Sequence, residues 1–346
     1  MLLMSAAARS RALVHAVTRA VQAAASRSGR PALAGLLAVL GALSMTAPAL
    51  AGAGGHHHGS YRFATVDNNG DPTFNQLLGI NNHNLIAGYF GSGAEGHPNQ
   101  GYLLFGAARH TYFAPENVPG AVQTQVTGLN DRGITVGFWS DMNNADLAND
   151  NFGFYSRDGR LFTSVNFPTT DNATPAVNQL LGVNDRNRAV GFYVDSMGNS
   201  HGYTYDIGDR DFNPVTVPGA VSTTAAAINN RGDIAGFETD GGGAVHAFLL
   251  GGRGGLTTLD YPGASMTQAF GVNNRDEVVG DYQVGSGDTA TMHGFTWSPW
   301  RGFASVDDPN GVGTTTINGV NDHGDLVGFY TDGAGNTDGM VAFHRR

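Results

Sequence analysis

Ala227-Ile228-Asn229-Asn230-Arg231-Gly232-Asp233-Ile234-Ala235-Gly236 is the clearest copy of a ten-residue unit that the chain repeats six times. The other copies open at Gly79, Gly128, Gly182, Gly271 and Gly319. Each begins with Gly or Ala, an aliphatic residue, Asn, and Asn or Asp, and closes on an aliphatic residue (Thr135 in the second copy), Ala or Val, and Gly. The sixth position holds Asn84, Gly133, Asn187, Gly232, Asp276 and Gly324 in turn. These are the residue types that tolerate the positive φ of a tight reversal. The Asn that opens each turn (Asn81, Asn130, Asn184, Asn229, Asn273, Asn321) can bond its own backbone two residues on. Each copy therefore reads as a β-hairpin.

Working outward, four strand-like segments recur in the same order around every hairpin. Strand one is aromatic and β-branched, as in Phe63–Asp67, Phe162–Asn166 and Phe303–Asp307. Several copies run on into Pro-Gly (Pro119-Gly120, Pro218-Gly219, Pro262-Gly263), a turn pair. Strands two and three flank the Asn turn. Strand four reads His201-Gly202-Tyr203, His246-Ala247-Phe248 and His293-Gly294-Phe295, with Val341-Ala342-Phe343 taken as the last copy. The turns recur at intervals of 49, 54, 45, 44 and 48 residues. Four short strands with a period near 45 are the mark of a propeller blade. No segment past the leader has helical apolar spacing. The expectation is an all-β, six-bladed β-propeller of four-stranded blades. Strand four leads into strand one through tight turns such as Gly251–Gly255. If those two strands pair, the first and last strands of the chain are left to pair with each other, closing the ring and removing both edges. Gly recurs in strand three of all six copies and opens five of the six Asn motifs, which implies close backbone approach.

The unit Gly-x-Asn-Asn-x-Gly-x-Ile-x-Gly, followed by His246-Ala247-Phe248, resembles the HAF family of extracellular repeats. The resemblance covers Tyr61 to the end. It implies a secreted bacterial repeat protein, and it implies no reaction.

Residues 1–51 read as a signal peptide. Arg9, Arg11, Arg19, Arg27 and Arg30 form an acid-free basic stretch, Ala32–Leu43 is apolar, and Ala49-Leu50-Ala51 is a small-x-small cleavage site. Residues 52–60 are a Gly/His linker carrying His56, His57 and His58, and 61–346 form a single domain. Without the leader, 14 arginines face 29 acidic residues, a formal charge of −15 with no Lys. That balance argues against nucleic-acid and anionic-membrane partners. The destination is extracellular, or periplasmic, and the expected state is a monomer. With no Cys in 346 residues, stability comes from burial and strand pairing.

No nucleophile elbow, phosphate-binding loop, dinucleotide fingerprint or zinc signature is present. His201, His246 and His293 occupy equivalent places in three units. A shared metal is conceivable there, but no carboxylate recurs beside them in sequence, so each is expected to bond within its own blade. Asp141–Asp146 has the flavour of a calcium loop, but Ala145 and Asp146 break the pattern at positions five and six. No cofactor is expected, calcium being the one this stretch leaves open. Asp195, Asp240 and Asp332 read as turn formers.

The connection between strands three and four varies in length while the Asn turn does not. From Gly88 to Gly101 is 13 residues, Gly137 to Gly153 is 16 and Gly280 to Gly294 is 14, against 11 in units three and four. Variable loops on a rigid scaffold are where binding is built. The candidate ligand-binding face carries Glu95, His97, Asp141, Asp146, Asp150 and Asp288. The expected function is a secreted, non-catalytic binding or structural module for a glycan or protein. The alternative is a carbohydrate-active lyase or hydrolase with its site on the same face.

Overall fold

The computed structural model describes residues 60–94, 96–107, 111–141, 151–168 and 177–345. Six antiparallel four-stranded sheets form a six-bladed propeller, and no α-helix occurs among the described residues. Blade one is β2 (Asn75–Ile80), β3 (Ile86–Phe90), β4 (Gln100–Phe105) and β5 (Tyr112–Pro115). Blade two is β6 (Gln123–Leu129), β7 (Ile134–Ser140), β8 (Phe152–Arg157) and β9 (Leu161–Val165). Blade three is β10 (Asn178–Val183), β11 (Arg188–Val194), β12 (Ser200–Asp206) and β13 (Asp211–Val215). Blade four is β14 (Ala220–Ile228), β15 (Ile234–Asp240), β16 (Val245–Leu250) and β17 (Leu256–Leu259). Blade five is β18 (Met266–Val272), β19 (Val278–Val284), β20 (Thr291–Ser298) and β21 (Gly302–Ser305). Blade six is β22 (Thr315–Val320), β23 (Leu326–Thr331), β24 (Thr337–His344) and, from the other end of the chain, β1 (Tyr61–Thr65).

The closure is an antiparallel ladder from Tyr61↔His344 to Thr65↔Met340. Within each blade the segment before the Asn turn is innermost, and strand one is the outer edge. The predicted φ pattern holds in all six turns: Asn84, Gly133, Asn187, Gly232, Asp276 and Gly324 have φ between 58° and 90°.

The glycines opening the Asn motif sit where blades converge. A Cβ on Gly128 would meet Leu181 O at 2.6 Å and the Cα of Gly182 at 3.1 Å, and one on Gly182 would meet the Cα of Ala227 at 3.1 Å. Just before this residue every inner strand shifts register, as between Leu77 and Gly79 or Val126 and Gly128. Such a bulge bends the strand and sharpens its twist.

Burial is organised by seam. Six apolar clusters each join a blade to its neighbour: Val136 and Tyr155 of blade two pack with Leu180 and Tyr203 of blade three, for example. The aromatic of strand four is the anchor, with Tyr102, Phe154, Tyr203, Phe248 and Phe295 all at most 1% exposed. Each such side chain contributes about 1.5–3 kcal/mol on burial. Hydrogen bonding corrects the sixth copy. Gly339 donates to Asp67 Oδ1 and accepts from Val66 N, as Gly294 does with Asp307 and Val306. The equivalent of His-Gly-Phe is therefore Asp338-Gly339-Met340, three residues before the look-alike Val341-Ala342-Phe343.

Candidate functional site

One face of the ring carries the Asn turns. Each opening Asn folds its own turn, its Oδ1 accepting from the amides two and four residues on; Asn81, for instance, takes His83 N and Leu85 N, both at 3.0 Å. The same side chain then reaches across the seam. Asn81 Nδ2 donates to Asn130 O, Asn130 to Asn184 O, Asn184 to Asn229 O, Asn229 to Asn273 O, Asn273 to Asn321 O and Asn321 to Asn81 O, at 2.9–3.4 Å. A second ring lies beside it. The amides of Asn82, Asp131, Asp185, Asn230, Asn274 and Asp322 each donate to the side chain of the next member at 2.8 Å. The amide groups of Asn82, Asn230 and Asn274 bond the second oxygens of Asp131, Asp185 and Asp322. Both rings surround an axial hollow of about 80 Å³. Every side chain in the two rings is bonded across a seam to the backbone or side chain of a neighbouring turn.

The opposite face carries the strand three-to-four loops and the connections entering each blade. Pairing of strand four with the following strand one sets His beside Asp here. His293 Nδ1 donates to Asp307 Oδ2 at 3.0 Å and its Nε2 lies 3.0 Å from Thr291 Oγ1. His246 Nδ1 meets Asp260 at 2.8 Å, a hydrogen bond that raises the imidazole's pKa. His201 instead bonds Asp195 in its own hairpin at 2.8 Å. Each His thus bonds a carboxylate of its own blade, and the expectation that none recurs beside them is corrected. In blade six the matching pair is Asp338 and Asp67. Burial pushes Asp67 up to about 6, with Asp338 and Asp332 adding repulsion, and burial also raises Asp338. Tyr330, beside them, is pushed up to about 12 by burial. Among the described residues no group of three His, Asp or Glu has metal-holding geometry.

Between blades five and six this face opens into a cleft of about 210 Å³. Its wall includes Asp308, only 3% exposed, whose Oδ2 has no partner in the protein. A second anomaly lies in the same two blades. Asp281 occupies the strand-three position held elsewhere by Tyr89, Phe138, Phe192, Phe237 and Phe329. It is buried, opposite Gln268 on β18, with Oδ2 accepting from Thr316 Oγ1 at 2.9 Å and Oδ1 unpartnered. Burial pushes its carboxyl up to about 7.

Of the residues expected on the binding face, Glu95, Asp146 and Asp150 lie outside the described residues. So do the proposed leader and most of the linker. His97 is exposed in blade one and bonds Asp71 Oδ2 at 2.7 Å. Burial would raise Asp71, but bonds from Thr73 and His97 outweigh it and lower its pKa. Asp141 follows β7, and Asp288 lies exposed in a 3-10 turn, Gly287–Thr289. These three belong to different blades, and no bond among the described residues joins them. Asp195, Asp240 and Asp332 close turns on their own hairpins. The sequence reading missed Asp71, Asp307, Asp308, Asp67 and Asp338. The available signal was the acid recurring at the end of strand one, as in Val66-Asp67, Leu259-Asp260 and Val306-Asp307.

No protein-family model matches the chain, and no curated protein sequence does. Among solved structures it is similar to AofleA from Arthrobotrys oligospora, at 13% identity and a TM-score of 0.50, over 82% of this chain and 86% of that one. A mutant of the Aleuria aurantia lectin AAL, solved with Fucalpha1-6GlcNAc, is 9% identical at a TM-score of 0.45, over 78% and 91%. TolB from Acinetobacter baumannii is 10% identical at a TM-score of 0.45, over 79% of this chain and 65% of its own, so this chain spans just under two thirds of it. At these identities the likeness is one of fold. No helix among the described residues is long and apolar enough to cross a membrane.

Proposed function

We propose that the chain is a secreted, non-catalytic binding module of the HAF kind, a monomer that engages a glycan or a protein through its loop face. The observation that carries this reading is the contrast between the two ends of the ring. On the Asn face the motif's polar side chains are closed into rings, while the loop face holds a cleft with an unpartnered, buried carboxyl oxygen. The repeat unit is accounted for by turn and seam bonding, which leaves the variable loops as the ligand-bearing part. The mature chain's acidity turns it away from nucleic acid and anionic membranes. A glycan array probed with the protein tests the glycan form of the reading. Binding reduced by substitutions in the loops, and unchanged by substitutions at the exposed turn residue Arg186 on the Asn face, supports it. Binding that follows the Asn face overturns it.

A second reading, a carbohydrate-active lyase or hydrolase, is favoured by the blade-six group of Asp67, Asp338 and Tyr330. Carboxyl groups whose pKa is raised by their surroundings can act as general acids. Turnover of a polysaccharide lost in both Asp338→Asn and Asp67→Asn supports this reading, and absence of turnover across a broad substrate screen rejects it.

A further inference from the structure

The cleft between blades five and six is walled by Met292 and His293 at the start of β20, by Asp307, Asp308 and Pro309 beyond β21, and by Thr315 opening β22. Its volume of about 210 Å³ is far above the roughly 15 Å³ one ordered water needs, and below the roughly 300 Å³ of a drug-sized pocket. The site is rigid. Asp308 N donates to Thr315 Oγ1, and Asp308 Oδ1 accepts from Asn310 N. His293 is held at both ring nitrogens and stacks on Tyr282, which itself stacks on Tyr261 at 3.6 Å between ring centres. Only Asp308 Oδ2 among these side-chain oxygens is buried and bonded to nothing in the protein. A buried polar atom in that state costs free energy that a bonding ligand would recover.

We propose that this cleft is a subsite for one neutral sugar residue, a ring hydroxyl bonding Asp308 Oδ2 while the apolar face of the ring lies against Met292 and Pro309. The inference rests on the reading of the loop face as the binding face, and it names the ligand class and its anchor. A cation is disfavoured because Asp307 already has both oxygens engaged, Oδ2 by His293 and Oδ1 by Gly294 N. Burial, with Asp338 adding repulsion, raises the Asp308 pKa, and a hydroxyl, which both donates and accepts, can partner Oδ2 in either protonation state. An acidic sugar would bring its carboxylate against that of Asp307, and like charges at contact repel.

The test uses the full chain and a panel of methyl glycosides of glucose, galactose, mannose, fucose and N-acetylglucosamine, with galacturonate and glucosamine as charged probes, followed by ligand-observed NMR. At least one neutral glycoside is expected to bind in the millimolar range. Asp308→Ala is expected to weaken it at least tenfold, and Asp308→Asn, close in shape, to weaken it less while keeping the wild-type melting temperature. In the wild type the His293 ring resonances should move on titration, a readout independent of whether any variant folds. Preference for glucosamine or galacturonate, an unmoved His293, or binding indifferent to Asp308→Ala overturns the subsite. If loop-face binding on a glycan array survives Asp308→Ala, the subsite falls and the binding-module reading stands. If the wild type binds nothing on either platform, both fall for glycans.

Discussion

The two ends of the propeller use the same five-residue turn and put different residues in it. On one face Asn81 and its five equivalents accept amides at i+2 and i+4. On the other, Asp332 accepts Ala334 N and Asn336 N, and Asp195 accepts Met197 N and Asn199 N, each at 2.8–2.9 Å. As a local device the two are interchangeable. They differ in the atom left over. An Asn has an amide to donate across a seam, and all six do. An Asp has a second oxygen that can only accept, and it stays within its own hairpin, on Asn336 or His201. The identity of the Asn is thus set by the neighbouring blade, and the turn alone would be satisfied by either residue.

Exchanging the two residues is the sharpest way to break that comparison. Asn184→Asp preserves the turn but replaces a donor with an oxygen facing Asn229 O at a site 4% exposed. It should cost about 3 kcal/mol in denaturant unfolding, and a loss under about 0.5 kcal/mol would mean the ring does not bind blade to blade. The next effect in size comes from two carboxyls, Asp281 at the blade five–six seam and Asp67 at the outer edge of blade six. Asp281 and Asp67 have folded-state pKa values raised to about 7 and about 6. The unfolded carboxyls ionise near 4 while the folded ones stay protonated, so their linkage lowers stability as pH rises from about 4 to about 7, by a few kcal/mol. Asp281→Leu, restoring an apolar residue where the other blades have aromatics, should raise stability at pH 8 by about 1–3 kcal/mol and flatten that slope. A variant no more stable than wild type would show that the buried carboxyl is compensated. Gly128→Ala should cost about 2 kcal/mol, because its Cβ would meet Leu181 O at 2.6 Å. Smallest of all, Asp332→Asn should stay within about 0.5 kcal/mol, because the side-chain oxygen that holds the turn is retained. A large loss there would erase the distinction between the faces.

Much of the architecture was readable in advance because it follows from local chemistry. A positive-φ residue four places into each turn, together with a repeat near 45 residues, admits few folds. The rest depended on register. His293 and Asp307 are 14 residues apart and meet only when strand four is laid against the next strand one. Val341-Ala342-Phe343 looks like the repeat by residue type, but Gly339 is the residue whose missing Cβ leaves room for Val66 O. Asp281 stood in plain view as the non-aromatic member of its column. Its burial could not be known until the innermost strand was identified. Glu95, His97, Asp141, Asp146, Asp150 and Asp288 were chosen by loop length, which marks a face and leaves the position on it open. The cleft that emerged is built from the start of β20 and the connection between β21 and β22, a segment that the comparison of strand three-to-four loops did not include.

The pairing of Tyr61–Thr65 with Met340–His344 gives the molecule a temporal asymmetry. Ribosomes make the first of these segments before any other part of the ring, and it must wait while more than 270 intervening residues are produced. Until the carboxy terminus emerges, blade six lacks a strand and its neighbour has an unsealed flank, the kind of surface that recruits wrong partners. A circular permutant that opens the chain between β1 and β2 and fuses the old ends would place all six blades in unbroken order, and should mature sooner with fewer losses to aggregation.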